Sequence, residues 1–222
     1  NVDQIAEAQI IEHLKNAYPE HGILAEEHGL IEGNEYTWVI DPIDGISNFV
    51  HNIPHFAISI CLKKDGEVEL GLIYDPIRNE LFTAVKGGGA FLDRRRIRVS
   101  NTKNFKQALL GTGFPYRDPH HIKPYMNTFT NIFPLCSGLR RAGSAALDLA
   151  YVAAGRLDGF WEASLKEWDI AAGMLLIKEA GGIICDFSGE DKSLDSGSII
   201  TGNPKIFKTL SKHVLESLHE LQ

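Results

Sequence analysis

The sequence predicts an α/β protein with one continuous core. Three observations carry this: runs of strand length alternate with helical patterns, two of the helices are almost wholly apolar, and 44% of the 222 residues are hydrophobic. A chain of this size buries a substantial core, either as one domain over residues 1–222 or as two tightly packed lobes, roughly 1–105 and 106–222. No repeat, low-complexity tract or linker divides it.

Residues 3–18 place Ile5, Ile10, Leu14 and Ala17 at mixed three- and four-residue spacings with charges between, an amphipathic helix that ends before Pro19. Residues 23–25 form a short strand that delivers Glu26 and Glu27, and residues 36–40 form the next. Residues 56–62 and 68–74 flank the turn KKDG, and 81–85 follows the turn DPIRN, as in an antiparallel meander. KGGGAF at 86–91 lacks the trailing Lys-Ser/Thr of a P-loop and reads as a tight turn between strands; DRRRIR at 93–98 reads as a solvated hairpin tip.

Later elements are a strand near 108–112, a helix at about 121–133 and an almost wholly apolar helix at 145–154. A helix with no polar face is buried between layers. A strand at 157–161, a second buried helix at 167–180 closed by Gly181 and Gly182, and a strand at 182–186 follow. Ile199 and Ile200 form a last short strand before a helix from 204 to the end. Trp161 and Trp168 pack, the adjacent His120 and His121 belong to a surface loop, and His51 and His55 border the chemistry without an assigned role.

The most informative stretch is WVIDPIDGISNFVH, residues 38–51. An apolar strand ends at Asp41, and a proline, a second carboxylate at Asp44 and a glycine follow within four residues. Pro42 pins the backbone, Gly45 permits a sharp turn, and Ser47 or Asn48 can begin a short helix whose free amides favour an anion. Glu26, Asp41, Asp44 and Asp169 each stand where an apolar strand ends or a buried helix begins. Brought together without cations they would repel, and at least one would stay protonated; around Mg²⁺ they become ligands.

The formal charge of 22 − 29 = −7 argues against general nucleic-acid affinity. An acidic protein that handles phosphate is easiest to explain with metal ions. Cys61, Cys136 and Cys185 have neither redox nor zinc spacing, and three unpaired thiols suit a reducing cytoplasm. No apolar run approaches membrane-spanning length, and no N-terminal segment reads as a signal peptide.

The segment at 41–49 resembles the inositol monophosphatase family, whose pattern there is D-P-[ILV]-D-G-T-x-N-F. Eight of the nine places agree; Ile46 stands where the family has a threonine whose hydroxyl helps to position the attacking water. The family's second pattern is met in full by WDIAAGMLLIKEAGG at 168–182, and RRAGSAALDLAYVAAGRLDGFWE at 140–162 is also similar to the family. The likeness runs from residue 1 to about 204 and is closest to the bacterial inositol monophosphatases. It places NVDQIAEAQI some way into the family's length, which implies that an N-terminal portion is absent.

The resemblance implies a layered αβαβα sandwich of the sugar phosphatase type, two or three Mg²⁺ ions, a homodimer, and hydrolysis of a polyol phosphate monoester, foremost inositol 1-phosphate. It assigns Glu26, Asp41 and the carbonyl of Ile43 to one metal, and Asp41, Asp44 and Asp169 to another, with Glu26, Asp44 and Ile46 at the reacting centre. Substrate contacts fall on Ile43, Asp44, Gly45, Ile46, Arg140, Gly143, Ser144, Ala145, Glu162 and Asp169. Three accounts of Ile46 stay open: Ser47 supplies a substitute hydroxyl, the protein is a slow or inactive phosphatase kept for another role, or Ile46 is an introduced change. The alternative functions are a protein-binding factor in transcription antitermination and ribosomal RNA synthesis, and a related nucleotide or sugar bisphosphatase.

Overall fold

The computed structural model describes residues 2–115 and 119–219. The first sheet has eight strands: β1 (Gly22–Ala25), β2 (Gly29–Ile31), β3 (Tyr36–Asp44), β4 (Ala57–Lys64), β5 (Glu67–Asp75), β6 (Glu80–Val85), β7 (Gly89–Leu92) and β8 (Arg95–Ile97), in the order β2-β1-β3-β4-β5-β6-β7-β8. Only β1 and β3 run parallel in it, so both carboxyl ends point the same way. The second sheet is built from β9 (Leu109–Thr112), β10 (Gly138–Arg140), β11 (Gly159–Glu162), β12 (Ile183–Cys185) and β13 (Ile199–Gly202), in the order β10-β9-β11-β13-β12. There β9 runs parallel to both β10 and β11.

Helices fill the space between and outside the sheets. Helix α1 (Val2–Ala17) lies on β3, and a short α2 (Ile46–Val50) follows that strand. Helix α3 (Ile122–Ile132) packs on the last helix, α7 (Pro204–His219), outside the second sheet; α6 (Ser193–Ser196) is a single turn. Between the sheets lie α4 (Ala145–Ala153) and α5 (Glu167–Glu179), with α5 on β4, β5 and β6 and α4 on β9 and β11. The result is the layered αβαβα arrangement. It also explains why α4 and α5 are apolar on all sides, since each is covered on both faces.

The largest apolar cluster joins Val39, Cys61 and Phe82 of the first sheet to Leu147 and Leu149 of α4, Ile170 and Leu176 of α5, and Phe160 of β11. One core therefore runs through both halves of the chain. Close approach within it depends on glycine: a Cβ at Gly173 of α5 would lie 2.6 Å from the Cβ of Leu149, and one at Gly71 of β5 would lie 3.0 Å from the backbone of Ala172.

Local departures from the expected elements have physical reasons. Strand β3 does not stop at Asp41 but continues through Pro42 to Asp44, because the register with β4 shifts between Asp41–Ser59 and Asp44–Ala57. A proline, lacking an N–H, is tolerated at such a bulge. The strand expected at 157–161 starts only at Gly159, since the backbone of Arg156 and Leu157 turns back to bond the carbonyl of Tyr151. The short strands β2, β7, β8 and β10 and the single-turn α6 were not anticipated; three or four residues are too few to show a period. In KGGGAF the turn is held from outside, as the Gly87 and Gly89 amides donate to the Glu179 carboxylate at 2.8 Å. DRRRIR spans the β7–β8 hairpin, its turn residue Asp93 at φ 53°. His120 is exposed on a 3-10 turn; the side chain of His121 and residues 220–222, expected to end the last helix, lie outside the described set.

The α4–α5 contact gives a direct stability test. Gly173→Ala inserts a methyl into packed leucine and should destabilise the fold by about 1–3 kcal/mol, read as a lower urea midpoint at unchanged slope.

Candidate active site

The carboxyl ends of β1, β3, β9 and β11 and the amino ends of α4 and α5 converge on one cleft, which encloses about 130 Å³. Strand ends and helix starts are where backbone amides are left without partners, so the fold collects polar groups there before any side chain is considered.

Asp41, Asp44 and Asp169 come together at the base of the cleft, each offering a carboxylate oxygen within 4.8 Å of the others. Asp41 comes from β3 ahead of its bulge and accepts a hydrogen bond from the Ile43 amide at 2.9 Å. Asp44 lies just past the bulge. Its Oδ2 accepts from the Ser144 hydroxyl at 2.5 Å and from the Ala146 amide at 2.7 Å, so it sits on the amino end of α4. Ser144 also caps that helix, its Oγ accepting from the Leu147 amide. Asp169 stands in the first turn of α5, where its Oδ2 accepts from the Lys166 amide at 2.7 Å. Amides and helix ends thus hold all three acids.

Asp41 and Asp44 do not ionise as ordinary carboxylates in the metal-free protein. Burial, followed by the charges of Asp44, Glu26 and Asp169, pushes Asp41 well above the usual carboxylate range. Burial and Asp169 push Asp44 up to about 7 despite the bonds from Ser144 and Ala146. An all-oxygen set of buried acids that repel when bare fits a hard divalent cation such as Mg²⁺. Asp41, Asp44 and Asp169 would hold it.

Glu26 lies in the turn after β1, lines the same cleft and is close enough to raise both Asp41 and Asp44. Its turn is fixed from below by Glu7 of α1, a wholly buried residue. The Glu7 carboxylate accepts from the amides of Glu27 at 2.9 Å and His28 at 2.8 Å. Sequence reading missed Glu7, because nothing marks one acid of an amphipathic helix as a buried cap.

The opposite wall carries the remaining expected residues. Ile43, Gly45, Ile46, Gly143, Ser144, Ala145 and Glu162 all line the cleft. Gly45 has φ 97°, a conformation open to glycine, and it turns β3 into α2. Asn48 braces this turn by donating to the carbonyls of His55 and Ala142 at 2.8 and 2.9 Å. Glu162 fits only because residue 113 is glycine; a Cβ there would lie 1.9 Å from its carboxyl carbon. Ile46 and Ser47 both line the cleft, the first aliphatic and the second a hydroxyl residue.

Arg140 does not line the cleft. It lies exposed at the end of β10 with its guanidinium on the Leu139 carbonyl, and the arginine that lines the cleft is Arg141. Sequence cannot choose between two neighbouring arginines at the end of a strand. Arg141 lies 5.1 Å over the ring of Phe114, which also lines the cleft. Asp148 was missed as well; its signal was that of a lone acid in the apolar run ALDLAYVA. His51 and His55 stay outside, the first exposed on the Ser47 carbonyl and the second edge-on to Tyr151. Trp161 is buried and donates to Thr128, while Trp168 packs on the main core.

The sequence matches the inositol monophosphatase family over residues 1–221. It is 52% identical over 215 residues to the Nus factor SuhB of Pseudomonas aeruginosa, covering 94% of this chain and 79% of that protein. Against the Nus factor SuhB of Escherichia coli K12 the identity is 46% over 222 residues, covering 99% and 83%. Among solved structures, the extragenic suppressor protein SuhB of Bartonella henselae superposes with a TM-score of 0.93 at 43% identity, covering 96% of this chain and 82% of that one. The inositol monophosphatase of Anabaena superposes at 0.91 with 41% identity, covering 96% and 86%.

The raised carboxylates give a signed prediction for the metal-free protein. Asp44 moves from 3.8 to about 7 on folding, so the folded state binds more protons in that window and stability falls as pH rises through it. Mg²⁺ should therefore raise Tm more at about pH 8 than at about pH 5, and its binding near pH 7 should release protons, measurable by calorimetry in buffers of different ionisation enthalpy.

Proposed function

Because the chain belongs to the inositol monophosphatase family, we propose that it is a magnesium-dependent phosphomonoesterase acting on a polyol phosphate, foremost inositol 1-phosphate. The observation that carries this reading is the triad of buried carboxylates within 4.8 Å, at the base of a cleft whose far wall presents Glu162. Family likeness extends the reading to two or three Mg²⁺ ions and to a cytoplasmic homodimer.

Asp41, Asp44 and Asp169 would hold one Mg²⁺, and Glu26, Asp41 and the Ile43 carbonyl another. The chemistry magnesium supplies when bound is Lewis-acid activation of a water and shielding of the leaving alkoxide. The amides of Gly45 and Ile46 receive the phosphate, where the turn out of β3 leaves N–H groups free. Glu26 stands at the cleft edge in the place of a proton acceptor, on a turn that Glu7 holds rigid. Gly143, Ser144 and Ala145 line the polyol side, and Glu162 accepts from its hydroxyls.

Ile46 bears on the rate more than on the fold. It keeps the branched shape of threonine but offers no hydroxyl to align a water or pass its proton toward Glu26. Positioned proton transfer contributes roughly 10²- to 10⁴-fold, so turnover of inositol 1-phosphate is expected to be low and Ile46→Thr to raise it by at least about 10²-fold. Phosphate release with Mg²⁺ measures both. If neither protein hydrolyses inositol phosphate, fructose bisphosphate or 3′-phosphoadenosine phosphate, the phosphatase reading falls; the relative rates separate a monophosphatase from a bisphosphatase.

The names of the relatives favour a second reading, a role as a factor in transcription antitermination. Under it the scaffold and acidic site persist while Ile46 leaves turnover slow. Pull-down from a cell extract should then recover transcription factors equally with this chain and with Ile46→Thr. A pull-down empty of transcription proteins removes this reading.

A further inference from the structure

Asp148 has no assigned task, and its surroundings do not suit it. It is the lone acid of α4, a helix otherwise apolar and packed between the two sheets. It is 2% exposed, and its carboxyl makes no hydrogen bond among the described residues. A carboxyl set into an otherwise apolar helix costs stability that an aliphatic side chain would not, even where it lines a cleft. A residue kept at that cost in the wall of a cleft is placed for what the cleft receives.

Its place indicates what arrives. Asp148 lines the cleft one turn into α4 beyond Ser144, facing β9, where a Cβ at Gly111 would lie 3.5 Å from its Oδ1. Glu162, at the end of the neighbouring β11, and Arg141 are the other charged groups of this wall. Two acids so close exclude a phosphate from this end and leave that group to the Gly45 turn. What two carboxyl groups in a narrow polar pocket do accept is a neutral ligand with adjacent hydroxyls.

We propose that Asp148 is a substrate-binding residue, hydrogen-bonded to a hydroxyl of the polyol beside the one held by Glu162, and so a determinant of polyol specificity. This rests on the phosphatase reading of the cleft. Burial, followed by the charges of Glu162 and Asp44, holds the Asp148 carboxyl above the usual range. A carboxyl accepts a hydrogen bond from a hydroxyl, which matches a polyol and not an anion.

The test compares wild type, Asp148→Leu and Asp148→Asn for Tm, and for calorimetric binding of inositol 1-phosphate and of inorganic phosphate with Mg²⁺ present. The expected result for Asp148→Leu is a Tm higher by about 2–4 °C, about tenfold weaker binding of inositol 1-phosphate, and unchanged binding of inorganic phosphate. Asp148→Asn, which keeps hydrogen-bonding atoms, should bind close to wild type. A lower Tm for Asp148→Leu would show a structural role and overturn the proposal. Equal losses for both ligands, or no loss, would overturn it too. If wild type binds neither ligand, the phosphate reading itself fails and takes the proposal with it.

Discussion

The structure depends on keeping like charges together out of water. Three aspartates share a space in which their oxygens lie within 4.8 Å. Left to themselves, in a chain free to move, they would separate. Burial and the neighbouring acids raise the Asp41 and Asp44 carboxyls, so the site resists ionisation without a cation. The fold holds the acids by answering each one with backbone: the Ile43 amide for Asp41, the start of α4 for Asp44, and the Lys166 amide for Asp169.

That arrangement needs α4 and α5 to begin side by side, close to the end of β3. Helices reach so close only where side chains are small, hence Gly173 against Leu149 and Gly71 against Ala172. The apolar bodies of the two helices supply the burial, and their amino ends supply the amides. Core and site are thus two ends of the same elements. Rigidity extends outward through Ser144, which bonds Asp44 and caps α4 at once, and through Glu7, which fixes the turn of Glu26 from the far side of the sheet.

Metal binding and turnover make different demands on this frame. Oxygens held in place satisfy a cation, while hydrolysis also needs a water held in line. The bulge in β3 serves the first by presenting Asp41 and Asp44 to one side despite Pro42. Under the proposed function residue 46, at the start of α2, bears on the second, and there the chain carries an aliphatic group. Under that reading the scaffold keeps its acidic cluster and its shape while one side chain sets the rate. Such a surface persists whether the protein works chiefly by hydrolysis or by contact.

Much was legible from residues alone. The apolar helices at 145–154 and 167–180 declared burial because no polar stripe could face water, and the spacing of Asp41, Pro42, Asp44 and Gly45 marked a turn with two acids. Glu26 and Asp169 joined them through the resemblance of their flanks. The sequence by itself thus determined the buried helices and the turn with its two acids, because periodicity and turn chemistry are local, while the layered order came with the resemblance. Tertiary structure decided the rest. It continued β3 past Asp41, turned Arg141 and not Arg140 to the cleft, and set Asp148 unpaired at its wall. It also placed Glu7 under a turn twenty residues away. Those outcomes depend on which strand pairs with which and on what covers a given face, and side chains distant in sequence set both.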